Sequence, residues 1–418
     1  MEKKKPEIRF NGFEGEWVTT TLGDIAVRVV SKNEDNSITL PLTISAQYGL
    51  ISQTEFFNSR IAAKDVRGYY VIKKGEFAYN RSTSDFSPFG AIKRLDGYEA
   101  GVLSTLYIVF RLSSEQIQSN YLVNYFSTSN WYQHITESAA EGARNHGLLN
   151  ITAEDFFKTP IKAPIRTEEQ EKIASFLTTL DKLIAKLEAK LDKLRKLKQA
   201  LLEKIFVNVN GGGCETPEIR FKGFEGEWLS TTLGACSKKI ITKNNDNEYN
   251  IVLTNSAERG IVDQRSYFDR EIVNTENIQG YYIVSQDDFV YNPRISMQAP
   301  VGPINRSKIE YTGVMSPLYY VFRITDKRFS LTYLEWFFKS SSWHDFMYKN
   351  GNSGARSDRF SINDDAFLRL PIYHPKDISE QEQIGKCFTQ IDTHFSKTST
   401  KVTKLRNIKH SLLQKMFA

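Results

Sequence analysis

The sequence predicts an α+β protein built as two pseudo-symmetric domains, each with a mixed, mostly antiparallel sheet, separated by two long antiparallel coiled-coil helices. Three observations lead to this fold class. The first is an internal repeat, because residues 6–17 (PEIRFNGFEGEW) return as residues 217–228 (PEIRFKGFEGEW) with one substitution. The second is a heptad pattern of apolar residues that ends each half. The third is a set of short aromatic and β-branched runs before it.

The repeat extends along nearly the whole chain, which makes it a structural unit. GYYVI at residues 68–72 corresponds to GYYIV at residues 280–284, and LLEKIF at residues 201–206 corresponds to LLQKMF at residues 412–417. Between such anchors the two halves differ widely. We therefore expect a repeated scaffold that carries two different surfaces.

The length of the chain agrees with two domains. A chain of 418 residues is long for one core, and two repeats of roughly 200 residues can each bury a sizeable core. The predicted boundaries are residues 1–166 for the first domain, 167–206 for a central helix, 207–216 for a linker, 217–378 for the second domain and 379–418 for a C-terminal helix.

Each half is predicted to end in a long helix. The tetrads Thr167–Gln170 and Ser379–Glu382 have the pattern of capping boxes, with a hydroxyl residue three positions before Gln or Glu. The apolar residues that follow recur every seven positions, as in a coiled coil. The residues predicted to pack against a partner helix are Leu180, Leu187, Leu194, Leu201, Ile391, Leu405 and Leu412.

Chain connectivity predicts the direction of these helices. The first helix must deliver the chain to the second domain, and the second must run back if it packs along the first. The pair is therefore predicted to be antiparallel. As a consequence, the end of the second helix should lie near Pro6, as Phe206 lies near Pro217.

The runs at residues 69–72 and 105–110 and their repeats predict strands, because they are aromatic or β-branched and end at Gly, Ser or charged residues. The aromatic-rich segments Asn120–Ser138 and Leu331–Lys349 predict helices.

The composition limits the classes of function. A net charge of +6 permits an acidic partner such as nucleic acid without requiring one. Three cysteines without a CxxC pair argue against a disulfide framework or a zinc site. No signal peptide or membrane-spanning run is present, so we expect a cytoplasmic protein without a membrane partner.

A search for catalytic motifs finds no phosphate loop, no HExxH and no GxSxG pattern. The tetrapeptide Asn292–Ile295 begins like the Asn-Pro-Pro-aromatic motif of amino-methyltransferases but lacks its second proline and its aromatic residue. The six histidines form no spaced metal pair. Catalysis by this chain alone is not expected, and no metal or cofactor is predicted on it.

Two polar, basic clusters recur in both halves. The first comprises residues 79–84 and 291–296, where Arg and Asn can pair with base edges and hydroxyl groups can hold phosphates. The alternative is a turn whose Asn and Ser side chains cap their own backbone. The second comprises residues 141–146 and 353–359, which share Gly-Ala-Arg, and its alternative is a helix stop with a solvated Arg.

Basic residues just after a later turn add to this hypothesis. Lys93, Arg94, Arg306 and Lys308 could contact phosphates, and the alternative for them is plain surface charge. The residues predicted to bind DNA are Asn80, Arg81, Ser82, Arg94, Arg144, Asn145, His146, Asn292, Arg294, Arg306, Arg356, Ser357 and Arg359.

Taken together, these motifs resemble the specificity subunit of type I restriction-modification systems. The resemblance covers practically the full chain. It rests on the RFxGFEGEW opening of each half, the Thr-Leu-Gly after it, the later Gly-Ala-Arg, and the helices with E-Q-E-x-I, LDKL and KLRxLKxxLLxKxF.

The resemblance implies a non-catalytic subunit that binds double-stranded DNA, with each domain reading one half of an asymmetric bipartite site. It also implies helices that set the spacer and hold two modification (methyltransferase) subunits, with two restriction subunits completing the complex. S-adenosylmethionine, ATP and Mg²⁺ are expected only on those partners. The alternatives are a coiled-coil adaptor without sequence-specific DNA binding and, less favoured, a stand-alone methyltransferase or nuclease.

Overall fold

The structure is a computed structural model. It describes residues 5–45, 48–59, 61–84, 87–139, 147–207, 216–267, 278–353 and 358–417. The chain divides into two compact units, of which the first comprises Met1–Glu188 and Thr400–Ala418 and the second comprises Ala189–Ser399. Each unit contains one repeat and parts of both long helices. None of the helices in the described residues is long and apolar enough to cross a membrane.

The first repeat combines short strands with short helices. Its strands are β1 (Val18–Thr21), β2 (Ala26–Val29), β3 (Leu42–Ser45), β4 (Gly49–Ser52), β5 (Tyr70–Lys73), β6 (Phe77–Asn80), β7 (Ala91–Arg94), β8 (Ala100–Leu103), β9 (Ile108–Leu112) and β10 (Pro160–Ala163). Its helices are α1 (Leu22–Ile25), α2 (Gln53–Phe57), α3 (Ser119–Tyr125), α4 (Tyr132–Ser138), α5 (Ala153–Phe157) and the long α6 (Thr167–Ile205), which continues into the second unit.

The second repeat has the same element order. Its strands are β11 (Leu229–Thr232), β12 (Ser237–Lys239), β13 (Leu253–Ser256), β14 (Gly260–Asp263), β15 (Tyr282–Val284), β16 (Phe289–Tyr291), β17 (Ile304–Arg306), β18 (Gly313–Met315), β19 (Tyr320–Ile324), β20 (Asn352–Ser353), β21 (Phe360–Ser361) and β22 (Pro371–His374). Its helices are α7 (Leu233–Cys236), α8 (Gln264–Tyr267), α9 (Leu331–Lys339), α10 (His344–Asn350), α11 (Asp364–Leu368) and the long α12 (Ile378–Met416).

Both repeats contain the same four-stranded sheet, with the order β2-β9-β6-β7 in the first and β12-β19-β16-β17 in the second. Every ladder in these two sheets is antiparallel, as the sequence predicts. Two-stranded ladders surround each sheet, among them β3-β4 and β13-β14. The α+β fold class predicted from the sequence is confirmed.

The main core of each unit lies between this sheet, the aromatic helices and a long helix. In the first unit the stacked rings of Phe77 and Phe110 lie 5.2 Å apart, and in the second those of Phe289 and Phe322 lie 5.5 Å apart. Equivalent aromatic side chains thus fill equivalent cores, which explains why the strands that carry them survive in both halves while the surface residues differ.

The aromatic-rich helices are shorter than the sequence predicts. Each predicted helix is broken into two, α3 with α4 and α9 with α10, by a turn that begins at Phe126 or Ser340. In both turns a tryptophan folds back, because the Trp131 indole N–H donates to the Phe126 carbonyl at 3.3 Å and that of Trp343 to the Phe338 carbonyl at 3.1 Å. The 3.6-residue periodicity of apolar residues, which predicted a single helix, does not reveal such a break.

The capping-box prediction is wrong for Gln170, which does not return to the helix start. Its side-chain amide is fully buried, accepts from the Gln118 N–H at 2.8 Å and donates to the carbonyls of Gln116 and Pro164. Gln381 makes the equivalent bonds to Ser330, Arg328 and Pro375. These glutamines therefore fasten each long helix to its own domain.

In α12 the cap also differs from the prediction. The helix begins at Ile378, one residue earlier than expected, and the Asp377 carboxylate accepts from the Ser379 N–H at 2.8 Å. This is the geometry of an Asp N-cap.

The long helices pair in antiparallel fashion within the first unit. Asp181 of α6 accepts from Lys409 of α12 at 2.5 Å, and Glu188 accepts from Arg406, also at 2.5 Å, so residue numbers rise on one helix while they fall on the other. In the second unit Lys198 pairs with Asp392 at 2.6 Å.

The seam between the helices is displaced from the predicted stripe. Leu177 and Ile184 are buried, whereas all seven predicted packing residues are only half-buried. The predicted residues Leu180, Leu187, Leu194, Leu201, Ile391, Leu405 and Leu412 therefore border the seam. A heptad spacing fits two adjacent stripes equally well, and only the contacts made by the helices decide between them.

The opening segment of each repeat lies against the end of a long helix. The Ile8 N–H donates to the Lys415 carbonyl at 3.0 Å, and the Ile219 N–H donates to the Lys204 carbonyl at 3.1 Å. Phe417 lies in the first core, where its ring contacts Trp17. The proximity that chain connectivity predicts is therefore present in each unit.

His344 gives the second unit a predictable acid sensitivity. Its ring lies 4.8 Å from that of Trp343, and burial lowers the pKa of His344 to about 4. Because an unfolded His has a pKa near 6.5, this group contributes stability above that pH and loses it as the pH falls from about 6.5 to about 4.

Tyr132 occupies the equivalent position in the first repeat, so His344→Tyr is a matched substitution. Over this pH interval the free energy of unfolding should fall less in the variant than in the wild type. The difference between the two decreases should reach up to about 3 kcal/mol. Urea titrations at pH 7, 5.5 and 4.5 measure the difference. His374, whose pKa burial also lowers, stays in both proteins. Parallel acid profiles would contradict the assignment.

Candidate nucleic-acid interface

The first predicted cluster begins with an Asn that closes a turn at the end of a central strand. The Asn80 side-chain oxygen accepts from the Ser82 N–H, and that of Asn292 accepts from the Arg294 N–H, both at 3.0 Å. This is the self-capping turn that the sequence left open as the alternative. The turn fixes the direction in which each loop leaves the sheet, so it positions the neighbouring side chains.

Glycine and tyrosine hold the far end of the same loop. Gly90 and Gly302 have φ values of +79° and +84°, and an added Cβ would lie 2.2 Å and 2.1 Å from the carbonyl oxygens of Asn80 and Asn292. Only glycine therefore permits this approach. The Tyr79 hydroxyl donates to the Phe89 carbonyl at 2.9 Å, which fastens the loop from inside.

The loops differ between the repeats in where the arginine lies, because Arg81 directly follows Asn80 whereas Arg294 is two residues after Asn292. Arg81 donates to the carbonyls of Leu106 and Ile151, each at 3.1 Å, and thus braces the first domain. Arg294 is well exposed and lies 3.7 Å from the Asp358 carboxylate. Of these two predicted arginines, Arg294 is the more available to an external partner.

In the second domain the structure brings together the two predicted clusters, residues 291–296 and 353–359. In the first domain the Thr83 N–H donates to the Gly147 carbonyl at 2.7 Å, and Gly147 directly follows His146. In the second domain the Ile295 N–H donates to the Asp358 carbonyl at 3.0 Å. The second domain therefore presents two adjacent loops at one end of its sheet, and in the first domain the loop after β6 lies beside Gly147.

In the second domain these loops border a cleft of about 630 Å³. The predicted residues Asn292, Arg294 and Arg359 line it, together with polar and aromatic side chains that the sequence analysis missed. The main additional lining residues are Thr254, Asn255, Ser256, Gln264, Tyr267, Gln298 and Tyr319. Such a lining offers donors, acceptors and ring faces, the groups that contact bases.

A buried amide network forms the floor of this cleft. Asn255 donates to the Val290 carbonyl and accepts from Asn305, both at 2.7 Å, while Asn292 donates to the Asn255 carbonyl at 2.8 Å. The first repeat has Ile44 in place of Asn255. The sequence signal that could have revealed this network was a polar residue, Asn255, at an inward-facing strand position. The two repeats differ at that position.

Arg94 and Arg306, which are also predicted to bind DNA, make internal contacts. Arg94 pairs with Asp96 at 2.7 Å and donates to Ser119, while Arg306 pairs with Asp287 at 2.5 Å. Both side chains are largely covered and fasten the sheet edge to an adjoining segment. Their DNA contact stays a prediction.

Five predicted residues cannot be placed. Arg144, Asn145, His146, Arg356 and Ser357, with the Gly-Ala-Arg motifs, lie outside the described residues. Among the residues that the structure does describe, no group of three His, Cys, Asp or Glu side chains could hold a metal ion.

Comparisons with known proteins agree with this architecture. The family model "Type I restriction modification DNA specificity domain" matches residues 14–196. The S subunit of a type I restriction-modification system from M. genitalium matches with a TM-score of 0.58 at 14% identity, covering 99% of each chain. No curated protein shows a significant sequence match.

A second solved structure has a similar fold. It is described as "Structural basis underlying complex assembly and conformational transition of the type I R-M system", and its chain matches with a TM-score of 0.51 at 14% identity. The match covers 96% of this chain and 97% of that chain. The family model on the first repeat and the shared two-repeat fold agree with the motifs of the sequence. Residues 14–196 are thus similar to a type I restriction-modification DNA specificity domain, and the whole chain shares the fold of the S subunit.

Proposed function

We propose that this chain is the non-catalytic DNA-recognition subunit of a type I restriction-modification complex, in which each domain reads one half of an asymmetric bipartite site. The observation that carries this proposal is the loop that follows β6 in the first domain and β16 in the second. The same Asn turn and the same glycine approach recur in both domains, but the side chains that they present differ. A repeated backbone scaffold that presents different side chains is suited to the recognition of two different half-sites.

The chemistry of the second loop pair supports base recognition. Arg294 is exposed, and Arg359 follows Asp358 on the adjacent loop. A guanidinium can donate two parallel hydrogen bonds to the O6 and N7 atoms of guanine in the major groove. The buried Asn255 and Asn305 amides hold the cleft floor in one arrangement, so these loops are positioned before DNA binds.

The long helices support the proposed subunit contacts. Leu183, Leu197 and Ile408 expose about 40–50% of their surface although they lie beside the helix seam. Partly exposed leucines along a helix pair provide an apolar surface for further helices. We infer that two modification subunits dock there, that two restriction subunits complete the complex, and that the two unbroken 39-residue helices set the unread spacer.

On this proposal the chain needs no cofactor of its own. S-adenosylmethionine, ATP and Mg²⁺ belong to the modification and restriction subunits, which carry out the chemistry. We infer that the complex acts in the cytoplasm.

Arg294→Ala tests base recognition by the second domain. Loss of a bidentate base contact costs about 1–3 kcal/mol, so we expect roughly 10- to 100-fold weaker binding to the cognate duplex. The measurement is fluorescence anisotropy of the full chain with its modification subunit, on a cognate duplex and on a scrambled one.

The matched control is Arg328→Ala, which removes an exposed arginine that Asp326 holds at 2.6 Å. It should leave the preference for the cognate duplex unchanged. Equal affinity of the wild-type complex for both duplexes would reject sequence recognition and would favour a coiled-coil adaptor.

A further inference from the structure

A recess of about 410 Å³ lies in the first unit between β7, the turn before α4 and the two long helices. Its inner wall is aromatic and includes Phe126 and Trp131. Basic side chains converge on it from two elements, with Lys93 from β7 and Arg406, Lys409 and His410 from α12.

The carboxylates nearby neutralise only some of these cations. Asp181 pairs with Lys409 and Glu188 pairs with Arg406, each at 2.5 Å. For Lys93, the described residues provide neither a hydrogen bond nor an ion pair. Among the lysine, arginine and carboxylate groups at the recess, three cations and two carboxylates leave one positive charge, and it belongs to Lys93.

The surroundings of Lys93 are those of a cation without a counterion. Burial lowers the pKa of the Lys93 ammonium group and the positive charge of Lys409 lowers it further, while the Asp181 carboxylate offsets only part of this decrease. An anion in the recess would counter both effects. It would replace the hydration that Lys93 loses on burial, and it would offset the repulsion between Lys93 and Lys409.

Comparison with the second repeat shows which of these charged residues the two repeats share. Lys409 and Asp181 have equivalents in Lys198 and Asp392, which pair at 2.6 Å. Lys93, however, corresponds to Asn305, a buried neutral residue that donates internally to Asn255. The ion pair is thus common to both repeats, whereas the free ammonium group occurs only in the first.

We propose that this recess binds one phosphate group of the DNA backbone and that Lys93 neutralises it. This inference rests on the proposed function and adds a phosphate contact to the first domain. The single excess charge matches the single negative charge of a phosphodiester, whereas a free phosphate or nucleotide carries about two or more. The hydroxyl groups of Ser127 and Tyr132, which also line the recess, can donate to phosphate oxygens.

The salt dependence of DNA binding by a Lys93→Gln variant tests the proposal. Each neutralised phosphate contributes about −0.9 to the slope of log K against log [salt]. We therefore expect the slope to become less steep by about 0.9 and the affinity at 150 mM salt to fall about fivefold, equally on duplexes of different sequence. Fluorescence anisotropy between 50 and 300 mM salt, on the full chain with its modification subunit, gives both quantities.

Two further variants separate this contact from general charge and from misfolding. Lys74→Gln removes one charge from an exposed lysine that already pairs with Glu99 at 2.6 Å, and it should keep the wild-type slope. Lys93→Arg keeps the charge and should restore most of the affinity. A slope in Lys93→Gln that equals the wild-type slope would overturn the proposal.

Other occupants of the recess give different results. If inorganic phosphate raises the unfolding temperature of the wild type but not of Lys93→Gln, while the DNA slope is unchanged, the recess holds free phosphate and the DNA assignment is wrong. If Lys93→Gln releases the modification subunit instead, the recess binds a protein carboxylate. A wild-type complex without salt-dependent DNA binding would reject the proposed function itself.

Discussion

Replacing Arg9 with Met is expected to lower the free energy of unfolding of the first unit by about 3 kcal/mol, because it leaves a buried carboxylate without its partner. Arg9 donates two parallel hydrogen bonds to Glu169, at 2.7 Å and 2.8 Å, and a third to the Gly15 carbonyl. Glu169 is only 1% exposed. The pair thus holds the repeated opening segment against the start of α6.

The chain offers two matched controls for this change. Arg67→Met breaks a similar bidentate pair with Asp65 on the surface, where both side chains are more than half exposed, and should cost less than about 1 kcal/mol. Arg220→Met breaks the equivalent buried pair with Glu380 and should cost as much as Arg9→Met, but in the second unit. Urea unfolding measures all three. If Arg9→Met costs no more than Arg67→Met, the buried pair does not hold the segment.

Exchanging residues 24–166 for those of a related specificity chain is expected to change one half of the methylated DNA motif and leave the other half intact. The exchanged segment contains the first sheet and the loop that follows β6. The segments that hold it, the opening up to Gly23 and the helix from Thr167, stay in place. Because the second cleft is built entirely from the second repeat, the graft does not alter it.

The reciprocal exchange of residues 235–377 is the control and should change the other half only. Both chimaeras are read by mapping methylated adenines in host DNA, which reports the two half-sites and the spacer together. A graft that changes both halves, or neither, would contradict modular recognition even if the chimaera folds.

Much of the scaffold could be predicted because the sequence contains it as an internal repeat. The repeat indicated two domains, and chain connectivity indicated antiparallel helices whose ends meet the openings, as the Ile8 and Ile219 hydrogen bonds show. Those inferences rest on pattern and topology, which sequence carries directly. The duplicated Glu-Gln at residues 169–170 and 380–381 was also visible, but its pairing with distant arginines and carbonyls depends on tertiary contacts.

The parts that were missed depend on contacts between distant segments. The sequence could not show that Arg81 would brace two carbonyls while Arg294 stays exposed, because tertiary contacts decide which carbonyls each side chain reaches. It could not place Gly147 beside Thr83, since the turns between them set that distance. Lys93 and Arg94 are adjacent in sequence, yet only Arg94 finds a carboxylate, because neighbouring strand residues point to opposite faces.

The most direct test of the central claim is the map of methylated adenines in a host that carries this chain with its modification and restriction subunits. We expect one asymmetric motif made of two different half-sites around an unread spacer. A continuous motif, two identical half-sites, or methylation without any sequence preference would contradict the claim that the two repeats read different sequences.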